Sequence, residues 1–170
     1  MQTTAKENAS FECFKALCMD AIGDECCQFS EERTRAQKDS PMWHHLRFGQ
    51  ITASRLYEVA QCHTPDGSLV ESILGATKFK GTRAMKRGNE LEQKVLESVG
   101  TRLGEKCAAA GLYVVRELPI FGASPDAVLR GSDGQVSAVV EVKCPASQAT
   151  VPSYVNSGGI APKCRAQMQL

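Results

Sequence analysis

The chain has 170 residues, 42% hydrophobic and 23% charged, with Lys+Arg 20 against Asp+Glu 19 and a formal net charge of +1. These are values of an ordinary globular chain of one-domain length, and they exclude collagen-like and wholly disordered sequences. No apolar run reaches the roughly 18 residues of a membrane span, and Met1 to Ser10 is polar, so the sequence predicts an intracellular protein that is neither secreted nor bound to a membrane.

The first forty residues read as an N-terminal appendage. Phe11, Phe14, Leu17, Cys18, Ala21 and Ile22 fall on one helical stripe that Ser10 can cap, and the polar run Gln28 to Ser40 reads as a linker or frayed helix ending at Pro41. A second region, 41–170, reads as the main domain. Thr52 or Ser54 can start a helix in which Ala53, Leu56, Tyr57 and Ala60 share a face. His63 to Gly67 is a turn, and Ser68 to Leu74 a short helix. Arg83 to about Arg102 forms the longest helix, with Leu91, Val95, Val99 and Leu103 at helical spacing and Gly104 closing it.

Strand patterns follow at Leu112 to Val115 and Pro119 to Phe121. Ala127 to Leu129 and Val136 to Val142 flank Gly131-Ser-Asp-Gly134, a hairpin turn. A loop rich in Ser, Pro and Gly comes next, then a helix from about Pro162. Helices, a β-meander and a final helix define an α/β or α+β core.

Charge is unevenly spread: residues 1–40 carry five Lys/Arg and eight Asp/Glu, residues 41–170 fifteen and eleven. Lys78, Lys80, Arg83, Lys86 and Arg87 stand just ahead of Glu90 and Glu92. A polyanion drawn to the cations would meet carboxylates, a pattern that suits a metal-dependent nucleic-acid enzyme, although a solvated helix face has the same composition. Eight cysteines, Cys13, Cys18, Cys26, Cys27, Cys62, Cys107, Cys144 and Cys164, lack C-x-x-C spacing and read as reduced thiols that mostly fill the core.

The hairpin juxtaposes acidic residues. A turn centred between Ser132 and Asp133 sets Asp126 opposite Val139, with Glu141 its diagonal neighbour. Val139, Glu141 and Lys143 then share one face. Two carboxylates and an ammonium converge there, and hard oxygen donors favour Mg²⁺ or Mn²⁺ over zinc.

Ser124-Pro-Asp126 followed by Glu141-Val-Lys143 resembles the PD-(D/E)XK nuclease signature. Trp43-His-His-Leu-Arg47-Phe-Gly-Gln-Ile-Thr-Ala-Ser54, Gly88-Asn-Glu-Leu-Glu92, Gly122-Ala-Ser-Pro-Asp126 and Gln167-Met-Gln169 resemble, in order, the motifs of the lambda exonuclease/YqaJ viral recombinase family. The details are also similar to YqaJ domains of mobile-element-derived eukaryotic proteins, in which case the nucleus is the expected compartment. The implied fold is a restriction-endonuclease-like core, with helices around a small central mixed sheet, incomplete at the C-terminus.

By the same resemblance Asp126, Glu141, the backbone carbonyl of Val142 and Glu92 bind two Mg²⁺ or Mn²⁺ ions. Lys143 serves the attacking water, and Gln167 helps to orient the catalytic site. Arg47, Ser54 and Ser124 bind a terminal 5′-phosphate. Duplex DNA ends, a homo-oligomer and a single-strand annealing protein are the implied partners. The expected activity is DNA digestion from 5′ ends in recombination. Two other readings stay open: an endonuclease on the same fold, and a DNA-binding relic whose shortened core has lost catalysis.

Overall fold

A computed structural model describes residues 12–13, 16–17, 20–64, 66–75 and 82–170. Ser10, Phe11, Phe14 and Cys18 of the expected first helix, with Pro65, Lys78 and Lys80, lie outside the described residues. Helix α1 (Asp24–Arg33) starts with two acidic residues and ends on Arg33, matching its dipole. A 3₁₀ turn (Gln37–Asp39) leads to α2 (Pro41–Leu46), where Pro41 occupies the first turn and the Ser40 hydroxyl accepts from the Trp43 amide at 3.3 Å. Strand β1 (Ile51–Thr52) feeds directly into α3 (Ala53–Ala60), and α4 (Ser68–Ile73) follows. Helix α5 (Arg83–Leu103) is capped by the Thr82 hydroxyl and stopped by Gly104 in the left-handed conformation (φ 68).

Strands β2 (Tyr113–Val114) and β3 (Phe121–Ala123) pair antiparallel, and β1 joins β3 in parallel, giving a small mixed sheet in the order β1-β3-β2. Pro125, which has no N–H to donate, interrupts the run. Beyond it β4 (Ala127–Arg130) pairs antiparallel with β5 (Val136–Val140), and the other edge of β4 exchanges two backbone hydrogen bonds between Val128 and Ala108. After a 3₁₀ segment (Gln148–Ser153), β6 (Val155–Asn156) and β7 (Gly159–Ile160) form a minimal hairpin, and α6 (Pro162–Gln167) lies along α3.

The hairpin register differs from the sequence expectation. The loop closes with Gly131 N–H on the Gln135 carbonyl at 2.9 Å, and an irregularity between Leu129 and Arg130 adds a further residue to β5. Partners therefore run Ala127 with Val140 and Val128 with Val139, two positions beyond the expected register. One more position places Asp126 opposite Glu141 rather than Val139. The two-residue slip keeps side-chain parity, so the expected face is preserved.

The core is small: Leu112 and Val128 are fully buried, with Ala110, Ala127, Leu129, Leu96, Ala53 and Ala161 around them. On α5 the buried residue is Leu96, whereas Val95 and Leu103 of the expected stripe are 36% and 56% exposed. The face toward β4 is Glu92, Leu96 and Gly100, rotated from the expected one. None of the seven described cysteines is fully buried, so the core-filling reading fails for them.

The linker reading of Gln28 to Ser40 also needs correction. Helix α1 packs on β2, and its Glu31 and Thr34 are 6% and 0% exposed. Glu31 accepts from the Gly111 amide at 3.1 Å and from the Arg35 guanidinium at 2.6 Å. Burial would raise its carboxyl, but Arg35 and the Gly111 amide outweigh that and hold it below its ordinary value. Gly111 must be glycine, because a Cβ there would overlap the Glu31 carbonyl. Thr34 Oγ donates to the Ser30 carbonyl at 2.6 Å and accepts from the Leu112 amide at 2.7 Å. Composition hid this docking, since it uses polar atoms.

Thr34→Val should therefore cost about 1–3 kcal/mol, because it keeps the shape and strands a buried N–H. Urea unfolding measures it, with Thr34→Ser, which keeps the hydroxyl, expected to lose less.

Candidate active site

Proline at 125 turns the chain from β3 into β4 and leaves Asp126 at the corner between the two sheets. Its Oδ2 accepts from the Val142 amide at 2.5 Å, across from where β5 ends. Glu141 Oε1 accepts from Lys143 Nζ at 2.6 Å and from Gln167 Nε2 at 2.5 Å. Glu141 and Lys143, 21% and 32% exposed, lie just past the end of β5, which stops at Val140 rather than at the expected Val142, and their ion pair holds them on one side of the chain. Glu92, on the inward face of α5, shares with Asp126 a cavity of about 610 Å³ between that helix and β4.

Charge crowding shows in the acidity of Asp126. Burial raises its carboxyl to about 6. The Val142 amide opposes the shift, Glu141 and Glu92 add to it, and Lys143 offsets part of it. Four of the residues expected to act together thus share one electrostatic site.

A second cavity, of about 690 Å³, is lined by Arg47, Ser54 and Ser124 together with Glu141 and Gln167. The fold brings the three expected phosphate-binding residues to one wall, although they come from α2, α3 and the β3–β4 corner. They do not bond one another: Ser54 shares a hydrogen bond with Thr52 at 3.2 Å, and Ser124 accepts from Trp43 Nε1 at 2.9 Å. Ser54 does not cap α3, whose N-cap position is Thr52. The Arg47 guanidinium stacks over the Trp43 ring at 3.8 Å. Burial, with Arg55 nearby, holds Arg47 below its ordinary value, so an anion would relieve this cation.

Trp43 is a residue the sequence reading quoted but left without a role. Its signal was the i, i+4 spacing to Arg47 in a chain with one tryptophan. The described end of the basic run, Arg83, Lys86 and Arg87, is exposed on α5, and Arg87 donates to the Pro145 carbonyl at 2.7 Å, two residues beyond Lys143.

Among the described residues no three of His, Cys, Asp and Glu close up into a ready cation cage. The donors nonetheless suit a hydrated hard ion. They are carboxylate and carbonyl oxygens, and burial, with Glu141 and Glu92 adjacent, makes Asp126 a weaker acid than usual, a shift that a cation would oppose.

Because the folded-state carboxyl titrates near 6 against an ordinary 3.8, the folded chain holds the proton more tightly, and stability should fall as pH rises through that window. Asp126→Asn should remove the slope. In chelator it should raise stability at pH 8 on the order of 1–2 kcal/mol, after allowance for solvent screening at this partly buried group, and leave it unchanged below pH 4. Thermal melts across pH measure the difference.

Comparison with known proteins follows the same residues. The YqaJ-like viral recombinase domain matches residues 42–170. The crystal structure of LHK-Exo in complex with dAMP superposes with a TM-score of 0.58 at 27% identity, covering 75% of this chain and 64% of that one. A second structure of this alkaline exonuclease, from Laribacter hongkongensis, gives 0.56 at 27% identity and the same coverage. The Shutoff and Exonuclease Protein from Kaposi's sarcoma-associated herpesvirus shares the fold at 0.50 and 21% identity, over 71% of this chain and 25% of that one. No curated protein matches. The chain thus spans 64% of the length of the Laribacter exonuclease. With the mixed sheet, the Asp126–Glu141–Lys143 corner and the match over 42–170 in agreement, the chain belongs to the YqaJ-like viral recombinase domain family.

Proposed function

We propose that this chain carries the site of a metal-dependent DNA exonuclease acting from 5′ ends in recombination. The observation that carries the reading is the adjacency of the Asp126–Glu141–Lys143 group to the cavity holding Arg47, Ser54 and Ser124. One part can hydrolyse a phosphodiester, and the other can hold a terminal phosphate. The Laribacter relative binds dAMP, a deoxynucleoside monophosphate of the class such a reaction releases.

Asp126, Glu141, Glu92 and the Val142 carbonyl are the groups that would hold Mg²⁺ or Mn²⁺. That cation's contribution would be neutralising phosphate charge and lowering the pKa of a bound water. Lys143, held by Glu141 at 2.6 Å, is placed to orient the attacking water and to take or return its proton. Gln167 donates to the same Glu141 oxygen as Lys143, and in this reading the pair of donors orients the carboxylate beside Asp126. Arg47 offers a planar fork to phosphate oxygens, and Ser54 and Ser124 can donate to those remaining. The Arg47 charge favours a terminal phosphate, which carries more charge than an internal diester. Homo-oligomerisation and a single-strand annealing partner belong to the same reading.

Digestion of matched DNA substrates tests it. Linear 5′-phosphorylated duplex should be degraded in Mg²⁺ or Mn²⁺, with no turnover in Ca²⁺ or EDTA, and Asp126→Ala should abolish cleavage while leaving DNA binding largely intact. Arg47→Ala should slow the 5′-phosphorylated substrate roughly tenfold more than the 5′-hydroxyl one, the loss of one charge-assisted contact. Equal rates on closed circular and linear DNA would instead establish an endonuclease, and binding without cleavage in Mg²⁺ a DNA-binding relic.

A further inference from the structure

Gln37 lies ahead of the 42–170 domain, yet its side chain reaches the active-site corner. Its Nε2 donates to two backbone carbonyls far along the chain, Pro125 at 2.8 Å and Ala110 at 2.9 Å. Pro125 and Ala110 are both buried, so these carbonyls have little access to water. A primary amide has two N–H groups on one nitrogen, and here each is used once. The Pro125 carbonyl belongs to the peptide that carries the Asp126 nitrogen. Fixing that carbonyl fixes the plane from which the Asp126 side chain departs.

The backbone of Gln37 is committed to this task. It is the only non-glycine among the described residues with a positive φ, at 43°. The side chain is half-buried, and its segment is anchored just upstream by Thr34 and Glu31 on Leu112 and Gly111. This left-handed residue opens the 3₁₀ turn that follows the anchored helix, and its amide points inward to the two carbonyls.

We propose that Gln37 is a positioning residue for Asp126, so that the segment ahead of the family domain completes the active site. Its effect on turnover rests on the nuclease reading, whereas its effect on the Asp126 corner does not. Gln37 touches no reacting atom and acts through the Pro125–Asp126 peptide. Small displacements of a catalytic group are costly, because reacting atoms must be aligned to within a fraction of an ångström.

The test compares the full chain with Gln37→Ala, Gln37→Glu and Gln37→Asn, and with Gln28→Ala as a surface control on α1. Gln37→Glu keeps the volume and replaces both donors by acceptors facing the two carbonyls. Gln37→Asn tolerates the positive φ and keeps a shorter amide. Two readouts are taken on folded protein of unchanged circular dichroism. One is the amide proton shift of Val142, whose N–H is held by Asp126; the other is the split of kcat and KM on 5′-phosphorylated duplex.

The Val142 amide should move upfield in Gln37→Ala and Gln37→Glu while amides of α5 stay in place. The kcat should fall roughly tenfold with KM within about twofold, and Gln37→Asn should recover part of the loss. An unchanged Val142 amide in folded Gln37→Glu would overturn the proposal. So would a general shift of β4 and β5 amides with a matching drop in Tm, which marks a structural brace. If Gln37→Ala does not fold, the isosteric Gln37→Glu decides. If the unaltered chain does not cleave DNA, the nuclease reading fails, and the Val142 amide still decides whether Gln37 sets the corner.

Discussion

The candidate site depends on a corner of three consecutive residues, Ser124, Pro125 and Asp126, each held by a different part of the chain. Trp43 binds the Ser124 hydroxyl, Gln37 the Pro125 carbonyl, and the Val142 amide the Asp126 carboxylate. The corner exists because proline cannot continue the sheet it interrupts. A strand break inside a core would leave polar backbone groups unpaired, and that is costly unless partners arrive from elsewhere. Here the partners are supplied by segments that also build the two cavities. Structure and site are therefore held by the same hydrogen bonds.

That arrangement has an electrostatic consequence. Asp126, Glu141 and Glu92 converge at a partly buried position where only Lys143 offsets them, and the carboxyl of Asp126 is displaced upward to about 6. In a chain optimised only for stability such crowding is unfavourable, because burial weakens each charge and neighbouring like charges repel. Perturbed carboxylates in a cavity are a recognised mark of functional sites for this reason. The second cavity adds a cation: a half-buried Arg47 braced on an indole, with hydroxyls beside it. Anion-seeking and cation-seeking groups stand side by side, the pairing on which the proposed function rests.

Peripheral contacts support this centre. Lys163 on α6 meets Glu58 on α3 at 2.8 Å, on the helix that carries Gln167 to Glu141. This exposed ion pair contributes little by itself, so the packing of α6 along α3 is what holds Gln167 in place. At the other end, α1 docks through Glu31 and Thr34 rather than through apolar surface. Its stability depends on satisfied polar groups, which makes the N-terminal segment specific in position even though few of its residues are hydrophobic.

Local chemistry written in the sequence was legible. The left-handed Gly104 ends α5 and the Gly131 to Gly134 turn makes the hairpin, because such residues act on their own backbone. The grouping of Glu141 and Lys143 was legible as a spacing of two, although β5 ends at Val140 and it is their ion pair that keeps them on one side. Even a register displaced by two positions leaves Asp126 and Glu141 on one face, as an odd slip would not. What the sequence could not show were contacts between distant segments whose energetics are polar. Glu31, Thr34 and Gln37 look like a solvated linker until Gly111, Leu112 and Pro125 are brought against them. Likewise the burial of Leu96 rather than Val95 on α5 depends on where β4 lies, not on helical spacing. Periodicity tells which residues share a face; only the packing of other elements decides which face is buried and which carbonyl a glutamine must reach.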